Sequence, residues 1–330
     1  MPLLRCDYTA SGEIAGWPEA CRVAARSLSR SPIIVMTHGL RYSPGAGPRC
    51  PHRRLLSLTP EPGFARAFSW PRALGVPRRR PRPGEPVCIA LGWPARGPLW
   101  QVARRADAAG AALGRHLGAL AEAAGRPVHL FAHSLGARLV LGAVAAAPSG
   151  AAGRAILLSA AALRRSARDA LAAGSGTGGG TEIVNVTSLG NRLFDMALEI
   201  AFAAPGQSLG RGLGRDHPRW LDLPIDMPGT CAALDRLGFP QQRMSRLVSH
   251  WGCYLQPGTF ALYRHLLGRA APPLEPLRRA LRDLHAERAR PSLEANPQEP
   301  RHDFADRSLL LAHPEWLENL YRPRGDGSAL

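Results

Sequence analysis

The chain has 330 residues, 45% of them hydrophobic, which suits one large core with appendages better than two full domains. Its net charge is +17 and all 42 basic residues are arginine. They are scattered among Ala, Gly and Pro with no interleaved aromatics, which reads as a coding bias and argues against a specific nucleic-acid partner. No apolar run is long enough for a transmembrane segment, and Met1-Pro-Leu-Leu-Arg-Cys-Asp7 lacks a signal-peptide core. The cysteines at 6, 21, 50, 88, 231 and 253 show neither C-x-x-C nor zinc-ligand spacing. These features point to a cytoplasmic chain with reduced thiols and no metal site.

Residues 1–30 form a mixed N-terminal segment in which Trp17-Pro18-Glu19 starts a helix, and the segment is expected to cover an edge of a sheet. Ile33-Ile-Val-Met-Thr37 is β-branched and apolar throughout, so it reads as a buried strand. It ends in His38-Gly39-Leu40-Arg41-Tyr42. Residues 43–85 are rich in Pro, Gly and Arg, with a short helical piece at Pro51–Leu56, and they predict an irregular insert serving as a lid or pocket wall. Val87–Trp93 is the next buried strand. Pro98–Ala124 follows as a long Ala-rich helix whose broad face carries Leu99, Val102, Ala106, Leu113, Leu117 and Leu120, and Gly125-Arg-Pro127 stops it.

Val128–Phe131 is too short for a helix and reads as a buried strand, after which Ala132-His133-Ser134-Leu135-Gly136 turns sharply into a helix. Small residues on both sides of a serine suit a strained turn that lifts the hydroxyl above the sheet. The helix beginning there aims unpaired N–H groups at the same point. A plain serine N-cap is the competing reading.

Ala155–Ser159 makes another strand, followed by an arginine-bearing helix to Ala173. Gly174–Gly180 lacks the Gly-Lys-Ser/Thr ending of a phosphate loop and reads as a connector. Glu182–Ser188 is a strand, Leu189–Asp195 the loop after it, and a last short strand lies within Arg215–Asp226. Leu247–Tyr254 carries His250, and a helix spans Thr259–Leu267. Strand and helix alternate, which predicts an α/β fold with a mostly parallel sheet covered on both faces. From residue 271 on, Pro, Arg and Glu alternate, with amphipathic pieces at Leu309–Ala312 and Glu315–Tyr321.

With Ala132-x-Ser134-x-Gly136 after a strand, His38-Gly39 ending an earlier strand and His250 far downstream, the chain resembles the α/β-hydrolase superfamily. Ala replaces the usual Gly at the first small position. The resemblance spans about residues 31–270 and leaves 271–330 as a C-terminal extension. It implies a serine hydrolase cleaving a small-molecule ester with no cofactor, in which Ser134 is the nucleophile and His250 the general base. The superfamily places its acid after the strand at 182–188, which selects Asp195. Asn191 lies where a tighter loop would put the acid, and Asp216, Asp222 and Asp226 stand in reserve. By the same resemblance the N–H groups of Leu40 and Leu135 form the oxyanion hole, while Gly39, His133 and Arg41 bind the substrate or shape the loop beside it. Leu56, Phe64, Phe68, Trp70, Trp93 and Trp100 hint at a hydrophobic acyl or alcohol group. An acyltransferase or thioesterase would use the same triad, and a non-catalytic binding protein would share its fold.

Overall fold

The structure, a computed structural model, describes residues 2–27, 31–62, 68–79, 82–173, 180–242, 248–268 and 272–289, with side chains up to 282 in the last of these. The expectations for Phe64, the connector at 174–179 and the tail beyond 289 lie outside the described residues.

Among the described residues, eight strands form one sheet: β1 (Leu3–Tyr8), β2 (Ile14–Ala15), β3 (Ile33–Thr37), β4 (Val87–Gly92), β5 (Val128–His133), β6 (Ala152–Leu158), β7 (Glu182–Thr187) and β8 (Trp220–Pro224). Their order is β2-β1-β4-β3-β5-β6-β7-β8, and every pairing is parallel except β1 with β2. The helices are α1 (Trp17–Ala25), α2 (Trp70–Ala73), α3 (Leu99–Ala124), α4 (Leu135–Ala146), α5 (Arg164–Ala173), α6 (Arg192–Ala201), α7 (Pro228–Arg236), α8 (Gly252–Leu255), α9 (Thr259–Leu266) and α10 (Glu275–Ala289). This is an α/β fold with a mostly parallel sheet, as the alternation predicts.

The central strands are apolar on both faces because both are covered. Along β3, Ile33 and Val35 enter one core with α1, α3, α4 and α5, whereas Ile34 and Met36 enter a second core with Trp70, Leu234, Tyr254 and Tyr263. In β5 the same alternation sends Leu130 and Ala132 to the first core and Phe131 to the second. The N-terminal segment does more than cover an edge: it supplies the edge strand β2 and its neighbour β1. The sequence Leu-Leu-Arg-Cys-Asp-Tyr is only half buried there, which explains its mixed composition.

The insert at 43–85 is packed where it is described. Leu55, Leu56 and Trp70 are buried in the second core, and Trp70 meets Phe131 edge-on with ring centroids 5.3 Å apart. Leu56, Trp70 and Trp93 are therefore core residues, while Trp100 is exposed.

Residues Met1–His285 form one compact unit, so the expected boundaries at 30 and 270 fall inside it. Of the remainder, 286–330, only the end of α10 is described. Among the described residues, no helix is long and apolar enough to cross a membrane.

Candidate active site

The chain leaves β3 toward β4 on one side, and leaves β5 through α4 toward β6 on the other. Connections that depart in opposite directions from adjacent strands open a crevice at the carboxyl ends of those strands, where α/β sheets bind ligands. The residues at that crevice are His38-Gly39-Leu40 after β3 and Ser134 after β5.

Ser134 sits at φ 56° and ψ −127°, a conformation that costs a non-glycine residue about 1–3 kcal/mol. Its backbone is held on both sides: its N–H donates to Leu158 O at 3.0 Å, and its carbonyl accepts from Ala137 at 2.9 Å and Ala161 at 3.1 Å. The side chain makes no capping hydrogen bond, so the competing reading of a serine N-cap fails. Space for the hydroxyl comes from the flanking small residues. A Cβ on Gly136 would lie 2.6 Å from the carbonyl oxygen of His38, and a Cβ on Gly39 would lie 2.6 Å from the Ser134 Cβ and 3.1 Å from its Oγ. Glycine is therefore required at both positions for the two loops to touch.

His38 fixes the β3 loop. Its Nε2 accepts the Trp93 backbone N–H at 3.2 Å, which leaves Nδ1–H to donate to Gly39 O at 2.9 Å. The indole of Trp93 stacks on the ring and donates to the His38 carbonyl at 3.0 Å. Burial holds the imidazole down at about 3, so it stays neutral and structural. Arg41, at φ 76°, donates its N–H to Ala95 O at 2.6 Å, so its backbone too belongs to the loop scaffold. Among the described residues, the Leu40 and Leu135 amides donate to no protein acceptor. Two unspent donors, one next to Gly39 and one at the start of α4, suit a developing oxyanion.

His250 is buried and reaches this crevice through its neighbours. His133, the residue before Ser134, donates from Nε2 to the His250 carbonyl at 2.9 Å, and the two rings lie 4.6 Å apart. Burial lowers His133 to about 4, so it is a neutral spacer. Phe194 stacks on the His250 ring with centroids 4.6 Å apart. The loop is also pinned through its backbone, since Ser249 N–H donates to Gly190 O at 2.9 Å.

The acid position differs from expectation. The group bonded to His250 Nδ1 is Asn191 Oδ1, at 2.6 Å. Asp195 stands one side chain further back, where it accepts from Asn191 Nδ2 at 2.9 Å. Asn191 is the N-cap of α6 and Asp195 lies four residues on, so both occupy one row of the helix. Burial, together with the nearby Glu199 carboxylate, pushes Asp195 up to about 7 against the opposing pull of Asn191, Arg211 and Arg192. Burial also works against ionisation of Glu199, but hydrogen bonds from Arg211 and Ser208 outweigh it and hold that carboxyl down to about 2. Glu199 accepts from Arg211 Nε at 2.8 Å and Ser208 Oγ at 2.6 Å.

The reserve acids have other tasks. Asp222 gathers Asn185 Nδ2, Trp220 Nε1 and the Leu213 amide at 2.8–2.9 Å, and Asp216 is exposed. Asp226 accepts from Ser188 Oγ at 2.7 Å, from Leu189 N–H at 3.0 Å and from Gly190 N–H at 3.2 Å. It thereby clamps the loop that ends in Asn191. This role escaped the sequence reading because the partners lie 36–38 positions apart along the chain. Among the described residues, no three His, Cys, Asp or Glu side chains converge to hold a metal ion. Comparison with known proteins finds no family model, curated protein or solved structure that matches the chain.

Proposed function

We propose that this chain is a serine hydrolase of the α/β-hydrolase type that cleaves a carboxylic ester through an acyl-enzyme. The observation that carries the reading is the uncapped Ser134 at φ 56°, held against Gly39 at the crevice between β3 and β5. A buried serine in a strained conformation, whose hydroxyl makes no capping hydrogen bond, is a stored cost that catalysis explains.

The tautomer of His250 follows from its partners. Asp195 as a carboxylate can only accept, so Asn191 presents Nδ2 to it and Oδ1 to His250. His250 Nδ1 then carries the proton and Nε2 the lone pair, which is the form a general base needs. In the reaction, Ser134 Oγ attacks the ester carbonyl carbon and its proton passes to His250 Nε2. The Leu40 and Leu135 amides stabilise the oxyanion. The C–O bond to the alcohol breaks, and that oxygen takes the proton from Nε2, leaving acyl-Ser134. Water then attacks the acyl carbon, gives a proton to Nε2 and releases the carboxylic acid, while Ser134 recovers its proton.

The cytoplasm is the compartment we assign, on the strength of the free thiols at all six cysteines. An amide beside His250 favours one rival, a hydrolase-fold binding protein without turnover. A panel of p-nitrophenyl esters of graded acyl length, with a thioester included, separates the two. The hydrolase turns over at least one member and Ser134→Ala abolishes that turnover, whereas background rates across the whole panel refute the proposal.

A further inference from the structure

We infer that Asp195 is a positioning residue that sets the tautomer of His250 by fixing which way the Asn191 side chain faces. The inference rests on the hydrolase reading for its kinetic consequence but not for its structural one.

A carboxylate beside a catalytic imidazole accepts at either oxygen, so it can enforce only one tautomer. An amide has two unlike ends. If Asn191 turns its NH2 toward His250, the Nδ1 atom must accept, the ring proton moves to Nε2, and no lone pair faces the nucleophile. Nothing in an isolated Asn–His pair selects the productive orientation. The second contact of Asn191 selects it. Asp195 is buried in α6, and its carboxyl oxygen accepts from Asn191 Nδ2 at 2.9 Å. Ionised, that carboxyl offers acceptors only and so draws Nδ2 rather than Oδ1, which is why the test below is run above about pH 7. With Nδ2 drawn toward Asp195, Oδ1 faces His250 Nδ1 at 2.6 Å.

Asp195 is in turn held by its surroundings. Gly210 packs directly against its carboxyl group, and a Cβ there would overlap it. Phe194 stacks on the imidazole, so the ring keeps its plane while the amide chooses its end. The arrangement divides the usual job of one acid between two residues: Asn191 touches the imidazole and Asp195 decides what Asn191 presents.

The test uses the full chain labelled with 15N, with the His250 ring signals assigned by their loss in His250→Gln. Ring-nitrogen shifts distinguish Nδ1–H from Nε2–H directly. Wild type is expected to show Nδ1–H, and Asp195→Leu a rise in Nε2–H. The rate of Ser134 labelling by a fluorophosphonate should fall together with that change, on the order of 10²–10⁴-fold, the range in which a wrong histidine tautomer costs a serine protease. In an Asn191→Asp background both ends of residue 191 accept, so adding Asp195→Leu should change labelling less than about threefold while Nδ1–H persists. Should Asp195→Leu fail to fold, Asp195→Ala gives the same readouts without filling the carboxylate's place. Asp195→Leu or Asp195→Ala with an unchanged Nδ1–H signal overturns the inference, as does an equal loss in the Asn191→Asp background. A wild type that shows Nδ1–H but never labels sinks the hydrolase reading alone, since the tautomer decides the inference without turnover.

Discussion

Asp195 carries a stability cost that depends on pH, and its size follows from its surroundings. The side chain is 5% exposed, and burial with the Glu199 carboxylate nearby pushes it from 3.8 up to about 7. The unfolded chain releases this proton near 3.8, whereas the folded chain holds it until about 7. Across that window the folded state binds the extra proton, so this group's contribution to stability falls as pH rises and levels off above it. At about 1.4 kcal/mol per pH unit, the whole interval is worth about 4 kcal/mol. Asp195→Asn cannot ionise and removes the slope, while the remaining carboxylates are common to both proteins and cancel in the difference. Urea unfolding of the pair from about pH 4 to about pH 8 should show the variant gaining on wild type through the window, by about 4 kcal/mol in total. A difference that stays flat with pH would refute a buried, destabilised carboxyl at this position.

Three further outcomes follow from the contacts. Gly39→Ala drives a methyl group against Ser134 and should cut fluorophosphonate labelling by about 100-fold or more, with a stability loss of only about 1–3 kcal/mol in urea. Asp226→Ala frees the Ser188–Gly190 loop and should lower kcat on the best ester about 10- to 100-fold with little change in KM. Arg154, a buried residue of β6, donates to Leu266 O at 2.8 Å and Pro272 O at 2.7 Å, and it pairs with Glu182. Arg154→Met leaves the Leu266 and Pro272 carbonyls unpaired and should therefore cost about 1–3 kcal/mol in denaturant without altering the labelling rate of the folded fraction.

Much of the architecture is legible in the chain because its signals are local. Ile33–Thr37 and Val128–Phe131 are continuous apolar runs, and a strand buried on both faces has no alternative composition. The turn at Ser134 was equally readable, since the small residues it needs are its immediate neighbours. Leu3–Tyr8 carries no clear strand signal because a strand beside the short edge strand β2, half in water, has Arg5 and Asp7 within its run. The acid position shows a different limit. Asn191 and Asp195 share one helical row, and helical spacing says that both face the same way without saying which end of the row meets His250. That choice is made by the loop ending at His250, whose Ser249 amide binds Gly190 O and so sets the imidazole against Asn191. A contact between residues 59 positions apart leaves no trace in either segment alone.

The central claim is that Ser134 is a nucleophile, and intact-mass spectrometry after treatment with a fluorophosphonate tests it most directly. The account predicts one covalent adduct per chain, mapped by peptide sequencing to Ser134, lost in Ser134→Ala and strongly slowed in His250→Gln. A chain that remains unmodified, or whose adduct maps to another residue and survives Ser134→Ala, contradicts it.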